Sequence, residues 1–388
     1  MQTCILGFDT REKWVVKREA SKLLYDKHTK NSTQTNSLKY RIALRTTTKI
    51  MTIDIYPPIV HANDLSPDVG YGAEIDQDIE EIVAACAGWG SNKKKVIAAL
   101  GSHTAEGRFK MAARYKELHE GQGLDTLMKK EMQGKITAGD FGTAMELLGL
   151  PPHEAECAML KKACKGLGAS AKVIYSIICG RTNKEMEILK KTFYKMYTKD
   201  LGKMLAAELH GDNERLIFNC LQAGEEEFDP QYHTKDKAIA DAEEIHKKGQ
   251  GRWGTDEKGI FKILCCSPPQ FLDTISLVYA EKYGYTLWKA MEKELSGNVK
   301  DACVFLVGMK QKPYESIAKL IKNACAGFGT DEFLLMCCVI RYQYVMNFVQ
   351  PAHIELFGKT VQDRIRSEVS GNFKEILVTV ANAGWPES

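Results

Sequence analysis

The sequence has no apolar run long enough to cross a bilayer. Its most apolar stretches, such as "LLMCCVI" at Leu334–Ile340, fall far short of the roughly 20 residues that a spanning helix needs. The first residues, "MQTCILGFDTREK", carry no basic n-region and only a brief apolar run, so no secretory signal peptide is expected and a cytoplasmic protein is. There is no CxxC and no Cys/His cluster with zinc spacing, although the chain holds 12 cysteines. Many of these lie in apolar, helix-like contexts: Cys157, Cys164, Cys179, Cys220, Cys265, Cys266, Cys337 and Cys338. Reduced thiols buried as small hydrophobes fit that setting better than disulfides.

An excess of one charge is also missing. Lys and Arg total 53 against 50 for Asp and Glu, a formal net charge of +3, and no clustered basic field marks a general nucleic-acid binder. Strand-like alternation is scarce. No Walker A, HExxH or EF-hand pattern occurs, and "DQD" at Asp76 lacks the glycine and distal Glu of a calcium loop. "GQGRWG" at Gly249–Gly254 matches GxGxxG literally. It follows "AIADAEEIHKK", which reads as helix where a dinucleotide turn needs a strand. The 9 histidines, His61, His103, His119, His153 and His353 among them, are scattered and none sits beside an evident nucleophile. No enzyme is expected.

What the chain does have is a repeated turn. "CAGWGS" begins at Cys86, "CKGLGAS" at Cys164, "GQGRWGTDE" at Gly249 and "CAGFGTDE" at Cys325. The last glycines, Gly90, Gly168, Gly254 and Gly329, are spaced by 78, 86 and 75 residues. A second element recurs behind each turn: "EMQG" at Glu131, "ELHG" at Glu208, "ELSG" at Glu294 and "EVSG" at Glu368. These glutamates follow the last turn glycine by 41, 40, 40 and 39 residues. One GxG means little, but four with the same trailing Glu-x-x-Gly point to an internal repeat. Helical periodicity fills the intervals, as in "EIDQDIEEIVAAC" and "YESIAKLIKNAC". The expectation is an all-α array of four units of about five short helices, at residues 73–148, 151–223, 236–309 and 313–384. Residues 1–72 form an N-terminal extension. Within it, "KHTKNSTQTNSLKYR" looks loosely structured, and Met51 would make a natural alternative start.

The turn and the glutamate together suit a hard cation. Calcium takes six to eight oxygens at roughly 2.3–2.6 Å, and glycines let a short turn converge its carbonyls. In the fourth unit the carbonyls of Cys325, Gly327 and Gly329 and a bidentate Glu368 give about five, leaving about two positions open. One carboxylate among neutral carbonyls makes a weak site, roughly 10⁻⁴–10⁻³ M. A phosphoryl oxygen of an anionic lipid could complete it. The residue before the last glycine is large and apolar each time: Trp89, Leu167, Trp253 and Phe328. Such side chains can rest at the headgroup boundary or fold back between helices. Thr330 can cap the next helix, and Asp331 and Glu332 suit a helix N-terminus.

These motifs resemble the annexins, and among them the alpha-giardins, the annexin-like proteins of Giardia. The likeness covers roughly residues 70–385, rests most on the two "GTDE" turns, and extends to Arg181 in "RTN" and to Arg341, which resemble the Arg after a repeat's second helix. It implies a slightly curved disc of four repeats whose convex face binds calcium and phosphatidylserine-type anionic phospholipid membranes. It also implies peripheral residence on the inner face of the plasma membrane. Cytoskeletal proteins such as tubulin, the flagella and a homodimer are further partners it suggests.

Carried over repeat by repeat, the fourth keeps Cys325, Gly327, Gly329, Thr330 and Glu368. The third keeps Arg252, Gly254, Thr255 and Glu294, with Gln250 or Gly249 for the first carbonyl. The second keeps Cys164, Gly166, Gly168 and Glu208, and the first Cys86, Gly88, Gly90 and Glu131. The first turn is followed by Lys93, Lys94 and Lys95, which either meet lipid phosphates or simply stay solvated. Trp89, Leu167, Trp253, Phe328, Thr255 and Thr330 make the lipid-facing set. The alternative is a helical-repeat protein of the cytoskeleton that works without calcium. Retention of all four glutamates favours calcium.

Overall fold

The structure, a computed structural model, describes residues 51–62, 71–87, 91–132, 139–165, 170–250, 257–327 and 329–384; at 249, 250, 257 and 258 it describes the backbone only. Residues 1–50 form a separate unit outside the described residues. Among the described residues there is no strand, and no helix is long and apolar enough to cross a membrane.

Among the described residues a short helix, α1 (Pro58–Ala62), comes first, the other α-helices fall into four sets of five, and a 3-10 turn spans Gln343–Val345 in the last set. The first set is α2 (Ala73–Cys86), α3 (Lys93–Gly101), α4 (Ala105–Leu118), α5 (Leu124–Met132) and α6 (Asp140–Leu148). The second is α7 (Pro152–Ala163), α8 (Ala171–Ile178), α9 (Asn183–Tyr197), α10 (Leu201–Ala206) and α11 (Gly211–Leu221). The third is α12 (Lys235–Gln250), α13 (Glu257–Cys266), α14 (Pro269–Tyr283), α15 (Leu287–Glu294) and α16 (Gly297–Gln311). The fourth is α17 (Pro313–Ala324), α18 (Glu332–Arg341), α19 (Met346–Phe357), α20 (Val361–Glu368) and α21 (Gly371–Ala383).

Local chemistry sets where these helices begin. Side-chain oxygens of Thr182, Asp200, Thr286 and Thr360 accept the N–H three residues on, at the starts of α9, α10, α15 and α20. Proline stands at the first position of α7, α14 and α17, where its missing N–H costs nothing. In the second and fourth sets the second helix is walled in on every side: Val173–Ile178 of α8 and Leu334–Arg341 of α18 are all buried. That is why "LLMCCVI" reads as apolar without a polar face. Burying one such Leu or Ile contributes about 1.5–3 kcal/mol. The described cysteines are free thiols, and Cys157, Cys179, Cys265, Cys303, Cys337 and Cys338 are buried.

The sets close on one another around a shared core. The fourth packs on the first through α21 and α3, and the second on the third through α8 and α16. Helix α18 reaches α6, α7 and α8. The segment before the first set is part of this body. Ile55, Tyr56 and Val60 are buried, and Thr52 donates to both oxygens of Glu225 at 2.7 and 2.9 Å.

At the centre lies a group of buried charges. Glu156 of α7 meets Arg181 at 2.8 Å and Arg341 at 2.5 Å, and accepts the Tyr56 hydroxyl. The two arginines that the sequence marks as repeat-related thus converge on one carboxylate.

Candidate metal centre

The Glu-x-x-Gly element has a single backbone geometry in three sets. Gly211, Gly297 and Gly371 each open the fifth helix at φ +64°, +60° and +64°, which a side chain would strain. The residues before them, His210, Ser296 and Ser370, are extended at φ −138°, −136° and −138°. The turn therefore holds each glutamate at the C-terminal end of the fourth helix. Glu294 and Glu368 are the last residues of α15 and α20, and Glu208 lies just past α10. Glu131 occupies the last turn of α5. All four are half-buried, so their carboxylates are positioned yet still reachable.

The repeated turn also has one frame. The N–H of Asn92, Ser170 and Asp331 donates seven residues back to the carbonyls of Ala85, Ala163 and Ala324, at 2.8, 2.9 and 2.8 Å. Each bond closes the loop between the first and second helices just ahead of Cys86, Cys164 or Cys325. Inside the fourth loop, Gly327 and Gly329 both stand at φ +104°, with open space where a side chain would project. Two glycines with one residue between them, both left-handed, curl the loop so that its carbonyls are free of intrahelical bonds.

Loop and glutamate meet. The Thr330 hydroxyl donates to Glu368 Oε2 at 3.3 Å. In the first set the Ser91 hydroxyl donates to the Glu131 carbonyl at 3.3 Å. The thiols report the same neighbourhood. Burial pushes Cys325 up to about 12 and Cys86 and Cys164 up to about 11, and the second cause in each case is the set's own glutamate, Glu368, Glu131 or Glu208. Protonated sulfur is a poor ligand, so oxygen is what this site offers.

Of the expected residues, Cys325, Gly327, Gly329, Thr330 and Glu368 come together. In the second and first sets Cys164 comes beside Glu208 and Cys86 beside Glu131. Gly166, Leu167 and Gly168, Gly88, Trp89 and Gly90, Arg252, Trp253, Gly254 and Thr255, and Phe328 lie outside the described residues. Gln250 ends α12, so its carbonyl is among the last four that the helix leaves unpaired. Lys93, Lys94 and Lys95 form the exposed first turn of α3.

One expectation needs correction. Thr330 does not cap α18. Asp331 does, accepting the Leu334 N–H at 3.0 Å. The Asp331 side chain sits one residue closer to the helix, and Thr330 donates to Glu368 instead. A four-residue signal, Thr-Asp-Glu after a glycine, holds both roles without saying which residue takes which.

A family model described as Annexin matches residues 154–219 and 240–306. Annexin A13 of Homo sapiens is 30% identical over 321 residues, which span 82% of this chain and 98% of that protein. Among solved structures, annexin III superposes with a TM-score of 0.71 at 25% identity, over 81% of this chain and 95% of its own. The calcium-bound structure of alpha-14 giardin superposes at 0.65 over 79% of this chain and 99% of its own. Its identity is 17%, a likeness of fold.

Proposed function

The chain belongs to the annexin family, and from that membership we propose that it binds anionic phospholipid membranes in a calcium-dependent way. The observation that carries this reading is the fourth turn, where two left-handed glycines, Gly327 and Gly329, lie in the loop whose Thr330 donates to a half-buried Glu368. The donor set is hard and all oxygen, with about five of the six to eight ligands calcium takes. Bound there, calcium supplies positive charge with coordination positions left for a lipid phosphoryl oxygen.

The protein's own part is pre-organisation. Asp331 fixes the start of α18 and so the far end of the loop. The Asp331–Ala324 bond fixes its width. Gly371, at the start of α21, turns the chain directly behind Glu368 and holds its carboxylate at the loop. The first and second sets keep the same loop closure and the same carboxylate beside it, which supports further, weaker sites there. Two proteins similar in fold, annexin (Sm)1 and alpha-14 giardin, have been solved in calcium-bound form.

Sedimentation with phosphatidylserine vesicles tests the proposal. The chain is expected to pellet with vesicles in millimolar calcium and to return to the supernatant on chelation. Equal pelleting in both conditions would favour the calcium-independent alternative.

A further inference from the structure

A second cluster of ligating groups lies away from the repeated turns, where residues 51–62 cross the second set. Asp54 sits in the extended part of this segment, His61 in α1, and Glu185 in the first turn of α9. His61 Nε2 lies 3.4 Å from Glu185 Oε1 and 3.8 Å from Asp54 Oδ1. One ligand atom from each of the three falls within 4.8 Å of the others. Among the described residues this is the one such group of His, Cys, Asp or Glu.

The surroundings leave this cluster incomplete. Glu185 is fully buried, yet its Oε2 has no hydrogen-bond partner, its nearest cation being Arg181 at 3.5 Å. His61 Nε2 is buried and also without one. Glu185 Oε1 is held rigidly by the N–H groups of Ile55 and Tyr56 at 2.7 and 2.6 Å. The Thr182 hydroxyl donates to Asp54 Oδ1 at 3.3 Å. So Glu185 is held through Oε1, while its Oε2 and the His61 Nε2 remain without hydrogen-bond partners in the interior. Asp54 is 58% exposed, which leaves an entry path from solvent.

We infer that Asp54, His61 and Glu185 bind a divalent transition metal of the zinc class. A tetrahedron with bonds of about 2.1 Å has edges of about 3.4 Å; His61 Nε2 stands 3.4 Å from Glu185 Oε1 and 3.8 Å from Asp54 Oδ1, and the third pair falls within 4.8 Å. One imidazole and two carboxylates suit zinc and not calcium, which wants six to eight oxygens. The fourth position opens toward water beside Asp54. Such an ion would tie residues 51–62 to the second set, adding a metal link to the hydrogen bonds already there. It would sit apart from the turns, so the chain would carry two cation sites of different chemistry.

The competing occupant is a proton, with His61 an imidazolium between two carboxylates. Calorimetric titration of the metal-stripped full chain with zinc, in millimolar calcium to fill the oxygen sites, separates the two. The wild type is expected to bind one equivalent that both Asp54→Asn and His61→Gln weaken by about 100-fold or more, beyond the loss from an outer-shell partner. Cobalt in place of zinc is expected to give the visible absorption of a tetrahedral site, lost in the same variants. Far-UV circular dichroism without metal checks that the variants fold. If His61→Gln fails to fold, the exposed Asp54→Asn carries the comparison. Absence of zinc uptake by the wild type, or equal uptake by wild type and Asp54→Asn, would overturn the site.

Discussion

Glu368→Gln is expected to raise the calcium concentration for half-maximal vesicle sedimentation by at least about tenfold, or roughly 1.4 kcal/mol. The substitution keeps size and shape and removes the one formal charge that the fourth turn presents to a cation. The other donors there are neutral carbonyls, so ligand charge falls from one to none. Folding should be untouched, because Glu368 is half-buried and the 3.3 Å hydrogen bond it accepts from Thr330 is one that an amide oxygen can still accept. Thr330→Ala should have a smaller effect in the same direction, since it loosens the carboxylate without removing it. An unchanged calcium response in Glu368→Gln, with intact helical circular dichroism, would move the site to another repeat.

Glu156→Gln is expected to cost about 3–5 kcal/mol of stability, read by urea denaturation. Glu156 is 1% exposed and answers two guanidinium groups, Arg181 and Arg341, whose side chains are themselves 0% and 2% exposed. Neutralising it leaves Glu185 at 3.5 Å as the carboxylate beside Arg181. Arg341 keeps the Ile177 carbonyl at 3.5 Å. Charges taken out of water and then left uncompensated are far costlier than the intact group is favourable. A loss below about 1 kcal/mol would mean that water reaches the guanidinium groups despite their burial. The effect should appear in stability with the calcium requirement of sedimentation unchanged, because Glu156 touches no turn.

The two halves of the metal centre differ in how far the sequence exposes them. Gly211, Gly297, Gly327, Gly329 and Gly371 were legible because each stands at φ near +60° or +104°, which accepts glycine and little else. A repeated constraint of that kind leaves a repeated letter. The glutamates were legible by their fixed distance from the turn, which measures three helices and two short joints. The five-helix sets followed from helical period and turn residues.

Other contacts left no such mark. Nothing local distinguishes Thr330 from Asp331 as the helix cap, since both are capable of it and the choice depends on where Glu368 stands, 38 residues on. Arg181 and Arg341 were visible as matching positions, but not their meeting at Glu156, because an ion pair between distant segments has no period. Tyr56 and His61 were less legible still. Their segment belongs to the N-terminal extension, and it becomes structural only when Glu185 accepts its backbone N–H groups.

The most direct measurement is a crystal structure of the full chain grown with calcium. The predicted result is an ion at the fourth turn, about 2.3–2.6 Å from backbone carbonyls of the Cys325–Gly329 loop and from both oxygens of Glu368, with Asp331 still capping α18. An ion held by the carboxylates of Asp331 and Glu332, or a fourth turn without calcium while Glu368 points away, would contradict it.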